Sequence, residues 1–171
     1  MFQAKSKESS AAMTPPIGLL AKYFGAKYKN TMTQTNQTGE IFEIPYMIRE
    51  GHLDTFGHVN NAAYLTILEE ARWDLVTPRG FGLDDVMKRG LGPIILEIKI
   101  LFLQELKARD QVVIKTWCTG YQGRIGTLEQ AIVKEGSDKE VCHAHFKFGL
   151  FDLKARKIIL PTPDWLAAIG M

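Results

Sequence analysis

The chain has 171 residues, 46% hydrophobic and 23% charged, which fits one ordinary domain with a tail and excludes collagen-like, fibrous and wholly disordered classes. Lysine and arginine number 21 against 19 acids, a net charge of +2, too small to point to nucleic acid. Cys118 and Cys142 are the only cysteines; two cannot build a disulfide framework or a four-cysteine zinc site, and they read as small buried hydrophobes in a reducing, cytoplasmic compartment.

Residues 1–16 are polar and end in two prolines, so they read as a tail. The apolar run Ile17 to Ala21 is closed by Lys22 and is shorter than the ~7–15 residues of a secretory core. No apolar run approaches the ~20 residues that span a bilayer. Leu20, Ala21 and Phe24 share helical spacing among Lys22, Lys27 and Lys29, which predicts a short basic amphipathic helix over 17–29, read as an extension of the domain rather than a membrane-surface element. Residues 30–40 are rich in Thr and Asn and read as a linker. The expected division is an N-terminal extension, 1–40, and a domain, 41–171.

Ile41 to Arg49 is β-rich and contains Pro45, predicting an edge or bulged strand. A loop follows over Glu50 to His58. From Asn60 to Val76 the residues Tyr64, Leu65, Leu68, Ala71 and Leu75 recur as one helical stripe. Asn60 or Asn61 serves as N-cap, and Pro78 and Gly80 end the helix. Leu83 to Arg89 predicts one further short helix. Four strands are then expected, at Ile94 to Glu105, Gln111 to Gly120, Arg124 to Glu135 and Glu140 to Asp152, joined by three hairpin-like links. Pro163 to Ile169 predicts a closing helix. One long helix followed by a run of strands is an α+β domain, with an antiparallel sheet wrapped around the helix. The strands at 94–105 and 141–151 are apolar on more than one face, which points to a second subunit as cover.

The informative stretch runs from His52 to Tyr64, between a strand and the helix start. It offers one carboxylate, Asp54, beside a helix N-terminus that carries partial positive charge and unpaired N–H groups. Such an end suits a carbonyl oxygen that becomes negative in a transition state. A carboxylate next to it is the minimum for hydrolysing an activated acyl group, with Asp54 as nucleophile or as base for a water.

Asp54-x-x-Gly57-His58-Val59-Asn60-Asn61-x-x-Tyr64, followed by Glu69-Glu70-Ala71-Arg72, resembles the signature of hotdog-fold acyl-CoA thioesterases, the relatives of 4-hydroxybenzoyl-CoA thioesterase. Acyl-ACP thioesterases carry a similar run. The resemblance covers about residues 41–153. It implies a hotdog fold, an acyl-CoA substrate, no metal or redox cofactor, and a homodimer or homotetramer with active sites between subunits. It implies Asp54 as base or nucleophile, His58 polarising the carbonyl or orienting the loop, and an oxyanion hole of backbone N–H groups near Gly57, Val59, Asn60 and Asn61. Phe56 stands where acyl-ACP thioesterases usually have Asn, so their Asn/His pairing does not carry over. Another subgroup places its catalytic Glu on the helix, which brings Glu69 and Glu70 in as assistants.

Each residue also has a structural role to fill. Asp54 suits a loop turn, His58 the helix entry, Gly57 a positive φ, Tyr64 the core, and Glu69 an ion pair with Arg72. Phe56, Tyr64 and Glu69, with Trp73 and Phe81, are candidates for the substrate pocket. His143 and His145 share one strand face without a third convergent ligand, so packing is expected there rather than a metal. Lys107, Arg109, Arg124, Lys154, Arg156 and Lys157 are available to meet CoA. Two other readings stay open on the same fold: a hydratase or dehydratase of thioesters, and a non-catalytic acyl-CoA-binding domain.

Overall fold

The computed structural model describes residues 39–137 and 139–171; the basic helix expected over 17–29 lies outside them. Strand β1 (Phe42–Met47) leads through a 3-10 turn at Glu50–His52 to helix α1 (Asn61–Val76). A second 3-10 turn at Thr77–Arg79 and helix α2 (Leu83–Arg89) precede strands β2 (Leu91–Phe102), β3 (Gln111–Gln122), β4 (Ile125–Lys134), β5 (Glu140–Asp152) and β6 (Lys157–Ile159), and helix α3 (Pro163–Ala168) closes the chain. The strands form one antiparallel sheet in the order β1-β3-β4-β5-β2, and β6 adds to β5 beyond the end of β4.

α1 forms where the apolar stripe and the cap agree. Asn60 is extended, and its side-chain oxygen accepts the N–H of Ala62, satisfying one orphan donor of the first turn. The buried face is Tyr64, Ile67, Leu68, Ala71, Leu75 and Val76. Leu65, expected in this stripe, is 38% exposed. Ile67 takes its place on the buried face, three residues on from Tyr64. Opposite α1 the sheet presents Ile114, Ile132, Phe146 and Phe148, all buried.

β2 does not form a hairpin with β3, contrary to the run of three links expected from sequence; it pairs with β5 instead. Residues 103–110 cross toward the loop before α1. There Val59 N–H donates to Leu106 O (3.0 Å), Ile48 N–H to Asp110 O (3.0 Å) and Arg109 N–H to Ile48 O (2.8 Å). Leu106 is fully buried. This apolar anchor inside a charged segment makes the connection a crossover. It leaves β1 and β2 as the two sheet edges. β1 carries Pro45, which an edge tolerates.

Both thiols are buried, which pushes Cys118 and Cys142 up to about 12, and no disulfide joins them. Among the described residues no helix is long and apolar enough to cross a membrane.

Candidate active site

The loop before α1 is a closed turn built on Asp54. Asp54 N–H donates to His58 O (2.8 Å), Gly57 N–H donates to Asp54 O (3.1 Å), and Leu53 pairs with Val59 across the base. The Asp54 carboxylate accepts from the N–H of Phe56 (2.8 Å) and, at longer range, of His58 (3.4 Å). Both bonds fall on Oδ1, leaving Oδ2 to meet another group. Gly57 has φ +77°, a left-handed conformation that glycine adopts without penalty. The loop thus needs its Asp and its Gly for geometry, whatever their chemistry.

His58 points its Nε2 at Glu105 Oε2 (3.1 Å), and Glu105 also meets the Lys107 ammonium (3.3 Å). Glu105 comes from the crossover segment and was not singled out from sequence. It lies far from His58 in the chain, and the bond from Val59 N–H to Leu106 O helps bring the two together. Arg109, in the same segment, pairs with Glu50 (2.8 Å). Lys107 and Arg109 therefore sit by the loop, whereas Arg124 lies in the β3–β4 turn and Lys154, Arg156 and Lys157 lie after β5.

The N–H groups proposed for an oxyanion are mostly engaged within the chain. Gly57 bonds Asp54, Val59 bonds Leu106, and Asn60 bonds His52 O (2.9 Å). Asn61, the first helical residue, carries an N–H with no acceptor inside the helix.

Phe56 is 79% exposed at the loop tip. Tyr64 is core, its ring 5.1 Å from that of Phe102 and its hydroxyl donating to Gln104 O (3.5 Å). A second hydrogen-bonded chain lies toward β1. His52 Nδ1 accepts from Arg49 N–H (3.1 Å), which leaves the proton of a neutral ring on Nε2 to donate to Tyr46 Oη (3.3 Å); Tyr46 in turn donates to Glu70 (2.8 Å). Burial, with the Glu70 hydrogen bond behind it, pushes the Tyr46 phenol up to about 12.

Glu69 is directed elsewhere. With Arg72 and Trp73 it borders a cavity of about 100 Å³ between α1, the sheet and α3. Phe81 is packed edge-on against Trp165 (4.9 Å) and is not part of that wall. Arg72 is half-buried, donates to Gln130 (2.6 Å) and lies over the Phe146 ring (4.5 Å). Burial, opposed by Glu69, lowers its pKa to about 10. Gln130 also donates to Leu68 O (3.1 Å) and Thr116 Oγ1 (2.9 Å), tying α1 to β3 and β4.

On the outer sheet face Glu129 bridges His143 Nε2 (3.0 Å) and His145 Nδ1 (2.7 Å), and Glu140 takes His143 Nδ1 (2.9 Å). With a carboxylate at each ring nitrogen, His143 is an imidazolium donating twice. Burial works against its charge, but the bonds to Glu129 and Glu140 prevail and raise its pKa to about 9. These groups pair with one another, and among the described residues no His, Cys, Asp or Glu cluster is disposed as metal ligands.

One long helix, α1, against an antiparallel sheet in the order β1-β3-β4-β5-β2 is the architecture of the hotdog class. Within it the chain belongs to the thioesterase-like superfamily, whose family model matches residues 48–169. The long-chain acyl-CoA thioesterase FadM of Escherichia coli is 31% identical over 118 residues, covering 66% of this chain and 84% of the relative. A chloroplastic acyl-acyl carrier protein thioesterase of Arabidopsis thaliana, ATL3, is 27% identical over 123 residues; the match covers 72% of this chain and 65% of that relative's length. The solved structure of YbaW, a probable thioesterase from Escherichia coli, superposes with a TM-score of 0.65 at 28% identity, over 74% of this chain and 94% of that one.

Proposed function

We propose that the protein hydrolyses an acyl-CoA thioester to the free acid and CoA, in the cytoplasm. The observation that carries this reading is the Asp54 carboxylate, oriented by two N–H bonds to Oδ1 and set next to the start of α1. Oδ2 takes a proton from water, whose oxygen attacks the thioester carbon; or Oδ2 itself attacks that carbon, and water then hydrolyses the resulting mixed anhydride to free the acid and restore the carboxylate. The carbonyl oxygen gains charge beside the helix N-terminus, where the Asn61 N–H and the helix dipole favour an anion. The C–S bond then breaks and the thiolate departs, a leaving group good enough to need little acid assistance. His58, held by Glu105, orients the loop and meets the carbonyl side. The reaction as written needs no metal and no redox group.

The unit that works is a homodimer. β2 is an open edge twelve residues long, and Leu96, Ile98 and Phe102 lie exposed along it. Two copies joined edge to edge by a two-fold axis pair antiparallel. The end of one β2, with its catalytic loop, then stands beside the start of the other.

Thiol release from a panel of short, long and aromatic acyl-CoAs tests the reading, with Asp54→Ala alongside. The expected outcome is thiol release by the wild type and its loss in the variant. No release from any thioester, or a variant equal to wild type, overturns it. Proton exchange into an enoyl-CoA without thiol release would identify a hydratase instead.

A further inference from the structure

We propose that Tyr46 is a positioning residue for the Asp54 loop, acting through His52 and Glu70 to fix the root of that loop against α1. This rests on the thioesterase reading and adds to it a residue outside the loop on which the rate depends. Three elements meet at the phenol oxygen: Tyr46 stands on β1, His52 ends the first 3-10 turn, and Glu70 lies in the middle of α1. The hydroxyl meets His52 Nε2 at 3.3 Å and donates to Glu70 at 2.8 Å.

His52 is the pivot, tied at three atoms. Its Nδ1 accepts from Arg49 N–H (3.1 Å), its Nε2 meets the phenol, and its carbonyl oxygen accepts the N–H of Asn60 (2.9 Å), the cap of α1. The next residue, Leu53, pairs with Val59 and closes the base of the loop, and Asp54 follows directly. The imidazole and phenol rings stack, 5.8 Å between centroids and 28° between planes. The order of donors is also fixed. Arg49 N–H occupies the lone pair of Nδ1, so a neutral ring carries its proton on Nε2; the phenol accepts that proton's bond and donates its own to Glu70. With its pKa raised to about 12, the phenol stays a donor wherever thioesters are assayed.

The hydroxyl and the ring have separable roles. Phe42, Ile44 and Tyr46 alternate along β1, and the Tyr46 ring packs against the core. The bond to Glu70 lies exposed, where water competes and a hydrogen bond adds little to stability. What the bond fixes is direction. The loop has to hold the Asp54 carboxylate and the start of α1 against one thioester carbon, and a misplacement of about 1 Å costs about hundredfold in rate. A chain of bonds from β1 through the loop's root to α1 restrains that placement from outside the loop.

Tyr46→Phe keeps the ring and removes the hydroxyl. On a thioester that the wild type cleaves, kcat should fall about tenfold or more, with KM within about twofold and the thermal midpoint nearly unchanged. Glu70→Ala should match it, and Glu70→Gln, which keeps an acceptor for the hydroxyl, should recover most of what Glu70→Ala loses. Tyr46→Phe and Glu70→Ala combined should be no worse than either alone. An unchanged kcat per folded molecule in Tyr46→Phe would assign the hydroxyl to folding and overturn the proposal, as would losses that add in the double variant. A loss in Glu70→Gln as deep as in Glu70→Ala would place Glu70 in the chemistry itself and overturn it too. Amide hydrogen exchange reads the loop without catalysis: in Tyr46→Phe the N–H groups of Asp54, Gly57 and Asn60 should exchange about fivefold faster or more, with the interior of β4 unmoved. A wild type that releases no thiol sinks the thioesterase reading, and the exchange result then decides the clamp, which unmoved loop amides overturn.

Discussion

At the scale of single residues, Asp54 serves two purposes that one substitution can separate. Its Oδ1 holds the loop through Phe56 and His58, and an asparagine oxygen accepts the same bonds. Asp54→Asn should therefore leave the thermal midpoint nearly unchanged while thiol release falls about hundredfold or more, the range for losing a general base. A large loss of stability with residual activity per folded molecule would assign Asp54 to the loop alone. The outer-face cluster gives a second prediction. The His143 pKa is raised to about 9 from about 6.5 in the unfolded chain. The folded state thus binds the proton more tightly. Its stabilisation is fully present below about pH 6.5 and fades as pH rises through about 9. The unfolding free energy from urea titrations should fall over that window, by up to about 3 kcal/mol, and Glu129→Gln should flatten the dependence. Glu129 escapes a sequence reading because a single acid in a strand looks solvent-facing. Its partners were nonetheless within reach: counting back from the Gly136-Ser137-Asp138 turn sets residue 129 against 145 and 131 against 143, the observed register. Glu105 had no such signal, since no turn or period connects it to His58.

At the scale of elements, what could be read was what local chemistry decides. α1 follows from a stripe and a cap, β5 from an apolar run ending in a turn, and α2 from two acids in its first turn and two bases in its last. What could not be read was which strands are neighbours. A hydrophobic pattern says that β2 is a strand, not that Leu106 will be buried and carry the chain across to Ile48. β6, only three residues long, has no period to detect. The loop and α1 make one unit, and its two ends can be probed separately. Asn60→Ala removes the acceptor for Ala62 N–H and should cost about 1 kcal/mol of stability. Gly57→Ala meets no steric contact, yet must hold φ at +77°, a cost of about 1–2 kcal/mol for an L-residue. If the loop relaxes to escape that strain, Asp54 moves, so activity should fall further than the stability loss alone explains. A melting curve and a thiol-release assay on both variants check this. Equal activity losses at equal stability would show that Gly57 serves folding and not the placement of Asp54.

At the scale of the molecule, the fold is closed on one side and open on the other. β1 ends the sheet with a proline and a salt bridge from Glu43 to Lys115 (2.9 Å), devices that discourage further pairing. β2 ends it with a long edge on which Phe102 is 50% exposed, and Leu65 of α1 lies exposed as well. An edge this long with exposed apolar side chains is a template for another strand, although it too carries a proline, Pro93, a bulge and the Glu97–Lys147 pair (2.8 Å), and a copy of the same edge is the partner that satisfies both at once. A lysine at its centre should break that pairing. Ile98→Lys places a charge where two apolar edges would meet, and Leu96→Lys does so from the bulge between Ile95 and Glu97, where the ladder is already irregular and the fold has least to lose. Sedimentation should show the wild type as a dimer or a larger even assembly, and the variants as folded monomers by circular dichroism. The monomers should also lose thiol release, although Asp54, His58 and Glu105 are untouched, because the loop of one chain would no longer stand beside the β2 edge of another. A wild-type monomer with full activity would mean that one copy completes the site without the β2 edge of a second.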